Sequence, residues 1–341
     1  MKITLNFSLF RTKRRDKTEN QPGQPLFVTS SLRLATRLSG LLSVSTVRNY
    51  HTALRSFSSF LDGTDIPVHS LTPHLVSLYA DWLTDRGGSA NTASCYLRSL
   101  RALYNRMARQ GRTRRICPFA NVFTGNSPTR KRSIPVTALQ RLHTLQLPKE
   151  SPMRLYRDLF LFCFYAMGMP FADVVRLRRT QVHGDHIVYR RQKTGRIVRV
   201  QIEPCMRDIL RRYQRSDSLY LFPILPVMAS KQAQQHAYRS ALGRYNRALK
   251  RIAALAGIRN NLSSYVPRHT WATQAYAHKV ELAVIAQALG HVNTRATWTY
   301  VRPSGISILA AANKKIIKEI IKKHLCGRGG YRWVIRCVIR G

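Results

Sequence analysis

The sequence predicts a mainly α protein in two domains, with a small β-sheet in the second. Three observations carry that expectation. The chain has 341 residues, more than one small core usually organises. Apolar residues recur at steps of three and four from about Thr29 to Arg115, and helical patterning returns beyond residue 136. Within the second stretch, residues 186–202 switch to the alternation of a half-buried hairpin.

Residues 1–25 are polar and basic and are broken by Pro22 and Pro25, which suits a flexible arm. A helical domain is expected over 26–120. Its first clear helix runs from Ser45, the expected N-cap, to Leu61, with Val47, Tyr50, Leu54, Phe57 and Leu61 on one stripe and Gly63 just past the end. A second begins at Thr72-Pro73, a cap followed by proline at the first position, carries Leu75, Leu78, Tyr79 and Trp82, and stops at Gly87-Gly88. A third spans about Asn91 to Gln110, with Leu97, Leu100, Tyr104 and Met107 inside. Its other face holds Arg98, Arg101, Arg106 and Arg109. A solvated face explains many charged stripes, but here every charge has one sign, which favours contact with a phosphate backbone.

Residues 121–135 contain two prolines, a glycine and the basic run Arg130-Lys131-Arg132, and are the expected linker. A second domain follows over 136–325. It contains an apolar helix at Leu155 to Met167 that ends at Gly168. The hairpin pairs His186 to Gln192 with Ile197 to Ile202 across Lys193-Thr194-Gly195-Arg196, and helices resume near Gln235. Ile308 to Leu325 reads as an amphipathic helix with a lysine-rich polar face, and residues 326–341 form a basic tail of no assigned role.

Charge narrows the function. Fifty-seven Lys and Arg against 15 Asp and Glu give a net charge of +42. Such an excess repels itself unless an anionic partner supplies countercharge, and a nucleic acid is the usual one. An RNA-binding protein would share this charge without needing a catalytic constellation. The six cysteines are scattered without metal-ligand spacing, so they read as small buried hydrophobes in a reducing compartment. No apolar run approaches the ~20 residues that span a bilayer. After Met1-Lys2 no secretory cleavage pattern follows. A cytoplasmic protein with no membrane partner is expected. Metal nucleases gather carboxylates around their cations. Acidic residues are too sparse here for that, and no cofactor is expected, which points to a protein nucleophile surrounded by Arg, Lys and His.

One ordered set of residues fits that chemistry. Tyr265-Val266-Pro267-Arg268-His269-Thr270-Trp271-Ala272 is followed by Leu289-Gly290-His291 and then Tyr300, nine residues after His291. This resembles the tyrosine site-specific recombinases of the phage-integrase family, in a divergent mobile-element branch. The resemblance covers about residues 25–325. It implies a two-domain C-shaped clamp around DNA, with a SAM-like core-binding domain before the linker and a catalytic domain after it. It implies that Tyr300 attacks the scissile phosphate to give a 3′-phosphotyrosyl intermediate without metal or ATP. Arg268 would grip the phosphate, Lys193 in the hairpin turn would protonate the leaving oxygen, and His291 would assist with Tyr265. The partners implied are double-stranded DNA with a specific site, further copies of the chain (a dimer on a site, a tetramer in the synapse) and accessory DNA-bending proteins. The amphipathic C-terminal helix by itself would suit a membrane surface; the resemblance implies docking on a neighbouring protomer.

Two positions depart from the family pattern. Pro170 stands where the family places its first arginine, and Tyr265 replaces the histidine of His-x-x-Arg. Arg176, Arg178 and Arg179 lie just beyond; surface or backbone contact is their plain reading, and Arg178 is the candidate substitute for the missing charge. Tyr265 keeps a hydroxyl donor but no positive charge near neutral pH. A catalytically impaired DNA-binding protein of the same fold and a type IB topoisomerase-like enzyme are the competing readings.

Overall fold

The computed structural model describes residues 24–111, 117–127, 132–213, 218–227, 230–290 and 306–322. The chain divides into two compact units, residues 1–129 and 130–341, each described by itself.

The first unit is helical: α1 (Phe27–Arg37), α2 (Val44–Phe60), α3 (Pro73–Asp85) and α4 (Ala90–Arg109). Short polar side chains start three of them. Ser43, Thr72 and Ser89 accept from the backbone N–H groups of Thr46, Leu75 and Thr92. The cap of α2 is thus Ser43 and not Ser45: both are serines in one short run, and only Ser43 adopts the extended backbone of a cap. Helix α1 has no such residue at its own start. Asp65 caps it from a distant loop, accepting from Val28 N and Thr29 N at 2.8 Å each.

The core of this unit is built on Leu54, Phe57, Tyr79, Leu100 and Leu103. The Phe57 ring meets Phe27 and Tyr79 edge-on at 5.7 and 5.0 Å, and the Tyr79 hydroxyl donates to Ser56 Oγ at 2.8 Å. On α3 the fully buried residues are Val76, Tyr79 and Leu83, while Leu75, Leu78 and Trp82 are half-buried. Both rows are apolar, so sequence spacing did not say which one faces the centre.

The first half of the expected linker is bound to α4. Asn91 exchanges two hydrogen bonds with the backbone of Ser127, and Ser94 Oγ donates to Gly125 O at 2.6 Å. Arg98 donates to Asn126 Oδ1 and Arg101 to Thr124 Oγ1. These bonds give 124–127 a fixed backbone despite its turn-rich composition.

The second unit is organised around α6 (Pro152–Tyr165), which follows α5 (Val136–Thr144). Ser151 caps α6 and Pro152 opens it. Leu159 through Tyr165 are all buried, because α9 (Lys231–Leu255) and α10 (Val266–Ala277) cover it. A buried ion cluster ties its start down. Asp158 accepts from Arg157 Nε at 2.6 Å, Arg212 Nη1 at 3.1 Å and the Tyr213 hydroxyl at 2.8 Å, the last two from α8 (Pro204–Tyr213). After the short helix α7 (Phe171–Val174) comes an antiparallel sheet in the order β1 (Val182–His183), β2 (His186–Arg190), β3 (Ile197–Gln201). Ile187 pairs with Val200 and Tyr189 with Val198, all four buried, as the alternation predicts. The two-residue β1 was too short for any periodic signal.

Helices α11 (Leu282–Ala288) and α12 (Ile306–Lys322) complete the unit. The apolar face of α12, with Leu309, Ile316, Ile317 and Ile320, packs into this unit's own core against α5, α10 and β3. The expectation that this stripe docks on a neighbouring protomer or a membrane is therefore corrected. Buried Asn313 fixes the docking by accepting from Trp271 Nε1 at 3.1 Å and donating to Tyr165 O at 2.5 Å. Cys163 is buried as expected, but Cys117 is exposed. No described helix is long and apolar enough to cross a membrane.

Candidate active site

The site is assembled where the end of α6, the β2–β3 turn, the start of α10 and the end of α11 meet. Helix α6 terminates at Met167 and Gly168, both with left-handed backbone (φ +57° and +71°). A Cβ on Gly168 would lie 2.9 Å from Arg268 Cα, so only glycine allows the two segments to approach so closely. Pro170 then opens α7, its carbonyl accepting from Asp173 N and Val174 N. That geometry turns Asp173 inward, where it is buried.

Arg268 lies in the first turn of α10. Its Nη1 donates to Gly168 O at 3.0 Å and its Nη2 to Leu289 O at 2.6 Å. Burial, and next the charge of Arg191, lower its pKa to about 10, which leaves the guanidinium charged at neutral pH. Arg191 is the partner that sequence reasoning missed. It is 7% exposed, its Nη1 donates to Leu289 O at 2.5 Å and Gly290 O at 3.1 Å, and its Nε faces Asp173 Oδ2 at 3.4 Å. Two guanidinium groups therefore converge on one carbonyl. A signal was present: Arg191, one residue past β2, continues the inward phase of Ile187 and Tyr189, and a charge in that phase is unusual.

Asp173 also accepts from Gln192 N at 2.9 Å, pinning the β2–β3 turn. Burial raises its pKa, while the Gln192 hydrogen bond and Arg191 oppose that shift. Thr194 Oγ1 donates to Gly290 O, and Gly195 (φ +68°) closes the turn onto Arg191 O. Lys193 stands exposed at its tip. Gly290 has φ +60°, and a Cβ there would sit 2.5 Å from Arg191 Cδ. The glycine of Leu289-Gly290-His291 is thus matched to Arg191.

Tyr265 caps the start of α10 and is 53% exposed, its ring 6.1 Å from that of His269. The pKa of His269 is lowered by partial burial and then by Arg132 and Arg268, so Arg132 lies near enough for its charge to act there. A cavity of about 70 Å3 lies among Pro170, Phe171, Ala172, Tyr238, Tyr265 and Arg268. Arg178 is not brought to this cluster. It is exposed, its backbone N–H donates to Gln181 Oε1, and no hydrogen bond or ion pair joins it to Arg268 or Asp173. Arg176 lies beside this cavity, its guanidinium over the Tyr238 ring at 4.4 Å and its Nη1 donating to Ala172 O at 2.9 Å. Tyr300, His291, Arg130 and Lys131 lie outside the described residues. No group of three His, Cys, Asp or Glu among the described residues is placed to hold a metal ion.

On α4, Arg106 is half-buried and Arg109 exposed, while Arg98 and Arg101 are half-buried and bonded to 124–126. A further basic face was overlooked. Arg239, Arg244, Arg247, Lys250 and Arg251 are exposed along α9, opposite buried Ala241, Tyr245, Leu249 and Ile252. The one-signed charges at helical spacing were legible there too.

A helical unit followed by a helical unit with a three-stranded sheet, with two arginines beside a lysine-bearing hairpin, is the arrangement that the resemblance to the integrase class implies. Comparison agrees. Residues 136–305 match the Phage integrase family, and residues 27–119 match the Phage integrase SAM-like domain. The tyrosine recombinase XerD of Haemophilus influenzae is 26% identical over 268 residues, covering 76% of this chain and 87% of that protein. XerD of Pseudomonas aeruginosa is 24% identical over 275 residues, with the same coverage of both chains. Among solved structures, a lambda integrase dimer bound to a core site superposes with TM-score 0.61 at 14% identity, covering 82% of this chain and 97% of that one. The Tn1549 transposon integrase in complex with circular intermediate DNA gives 0.56 at 14%, covering 85% and 99%. A lambda integrase tetramer bound to a Holliday junction gives 0.61 at 15%, covering 86% and 83%. The chain belongs to the phage integrase family of tyrosine recombinases.

Proposed function

We propose that this chain cuts and rejoins DNA at a specific site through a covalent link to Tyr300. The observation that supports this most is Arg268: a half-buried guanidinium, still charged, held by backbone carbonyls on two sides and tied through Leu289 and Gly290 to the turn that carries Lys193.

In this reading the Tyr300 oxygen attacks the scissile phosphorus and the bond to the 5′ oxygen breaks. Arg268 forks onto the non-bridging oxygens, a geometry that lysine cannot reproduce. Lys193, exposed at the tip of a pinned turn, gives a proton to the leaving 5′ oxygen. His291, assisted by Tyr265, hydrogen-bonds the phosphate or takes the tyrosine proton. The ester energy stays in the phosphotyrosyl link, so a partner strand's 5′-hydroxyl rejoins the DNA without ATP.

Arg109 and Arg106, with the basic 130–132 run and the exposed arginines of α9, supply backbone contacts. Arg98 and Arg101 contribute by holding 124–126. The working unit is a dimer on one site and a tetramer in the synapse, acting on cytoplasmic DNA with DNA-bending accessory proteins. The domains proposed are an arm (1–25), a core-binding domain (26–120), a linker (121–135), a catalytic domain (136–325) and a tail (326–341).

The test is a nicked suicide duplex whose cleaved strand diffuses away. Wild-type protein accumulates a covalent adduct in the presence of EDTA, and Tyr300→Phe forms none. An adduct of undiminished yield with Tyr300→Phe rejects the nucleophile. The absence of any wild-type adduct favours an impaired DNA-binding protein, and relaxation of plasmids lacking a site favours a topoisomerase.

A further inference from the structure

We infer that Arg191 supplies the second phosphate-binding guanidinium that Pro170 leaves missing, acting on the scissile phosphate beside Arg268. This rests on the recombinase reading above. Arg191 Nη1 and Arg268 Nη2 share the Leu289 carbonyl as acceptor, at 2.5 and 2.6 Å. That brings two like charges side by side, Arg191 buried and Arg268 half-buried. Such a pairing is unfavourable unless anions compensate it. Asp173 is the carboxylate facing Arg191, so the described cluster holds two cations against one anion. The uncompensated charge suits one phosphodiester.

The fork is also partly open. Nε of Arg191 faces Asp173 and Nη1 faces the two carbonyls, while Nη2 takes no hydrogen-bond partner among the described residues. It is not among the sealed, unpartnered polar atoms either, which are Ser31 Oγ and Tyr245 Oη. Three fixed contacts thus orient the guanidinium and leave an edge for an oxygen ligand. Arg178 has no bond to the cluster and stands exposed, and Arg176 is held over Tyr238 and on Ala172 O, with no hydrogen bond to the carbonyls that Arg191 and Arg268 share. Gly290 completes the device, since any larger residue would displace the Arg191 side chain.

The experiment compares two substrates. A suicide duplex selected from a random library on the full-length chain is made with its mapped scissile phosphate either native or replaced by a methylphosphonate, which lacks one charged oxygen. Arg191→Gln is expected to lose ~10²–10³-fold in adduct rate on the native phosphate, the loss typical of removing one oxyanion donor. On the methylphosphonate, where that charge is gone, its rate approaches wild type. Equal losses on both substrates, or no loss on the native one, overturn the inference.

Arg191→Lys covers the case in which the Gln variant does not fold, because it keeps the charge and one carbonyl bond. It is expected to be slow on native DNA and to recover when Pro170→Arg returns a guanidinium beside the small cavity at that position. Full activity of Arg191→Lys, or no recovery with Pro170→Arg in a variant that still binds DNA, also overturns it. A wild-type adduct that depends on Tyr300 shows that the recombinase reading stands whichever way Arg191 falls.

Discussion

Replacing Gly290 with alanine tests the packing of the site against a matched control. Gly290 has φ +60° and Gly184, in the turn before β2, has φ +59°. Each substitution carries the same left-handed strain of about 1–2 kcal/mol. They differ in surroundings. At Gly184 a Cβ meets nothing within 4 Å, whereas at Gly290 it meets Arg191 Cδ at 2.5 Å and Val198 Cγ2 at 3.2 Å. Overpacking of this kind adds about 1–3 kcal/mol. Gly184→Ala should therefore cost about 1–2 kcal/mol, and Gly290→Ala about 2–5 kcal/mol as the sum of the two terms. Urea unfolding of the full chain followed by near-UV circular dichroism measures both. Gly290→Ala should also slow adduct formation, because it dislodges Arg191 from Leu289 and Gly290, while Gly184→Ala should not. Equal costs for the two variants would refute the packing argument, whatever their absolute size.

Four further outcomes follow from other parts of the molecule. Asp158→Ala leaves Arg157 and Arg212 without their carboxylate and should cost about 3 kcal/mol, read by thermal melting, because it strands the buried charge of Arg157, while Arg212 is partly solvated. His269 has its pKa lowered from 6.5 by partial burial, so folding favours its neutral form. Its contribution is present above the ordinary value and is lost as pH falls through the lowered one. The melting temperature should fall over that acid window less steeply in His269→Gln, and an unchanged slope would remove His269 from the account. Arg109, exposed at the end of α4, should act on DNA through charge alone, so Arg109→Ala should lower the salt slope of binding by about one. Arg101→Ala should instead loosen 124–126, seen as faster amide exchange at Gly125 and Ser127, since its Nη1 holds Thr124.

Most of the helical framework was legible because caps and apolar periodicity are local. Thr72-Pro73, Gly63 and Gly87 mark boundaries where the structure places them, and the Val198/Val200 alternation reads directly as a strand. What sequence did not show depends on distant partners. The cap of α1 comes from Asp65, and the half-linker 124–127 is fixed by side chains on α4. The α12 stripe seeks its own core, which an amphipathic pattern alone does not distinguish from a partner's surface. Within the site, Arg268 and the Lys193 turn were found by motif and by turn chemistry. Arg191 was passed over because it precedes the more conspicuous lysine. Its inward phase just past β2 becomes informative only when Gly290 is seen to yield space for it.

The central claim is a phosphodiester carried by Tyr300, and peptide mapping of the trapped adduct tests it most directly. Wild-type protein incubated with the suicide duplex in EDTA, then digested with protease and nuclease, should yield one modified peptide. That peptide should contain Tyr300, its mass raised by a 3′-linked nucleotide, and the released strand should carry a free 5′-hydroxyl. A nucleotide mapped to any other side chain, or a 5′-linked one, would contradict the account.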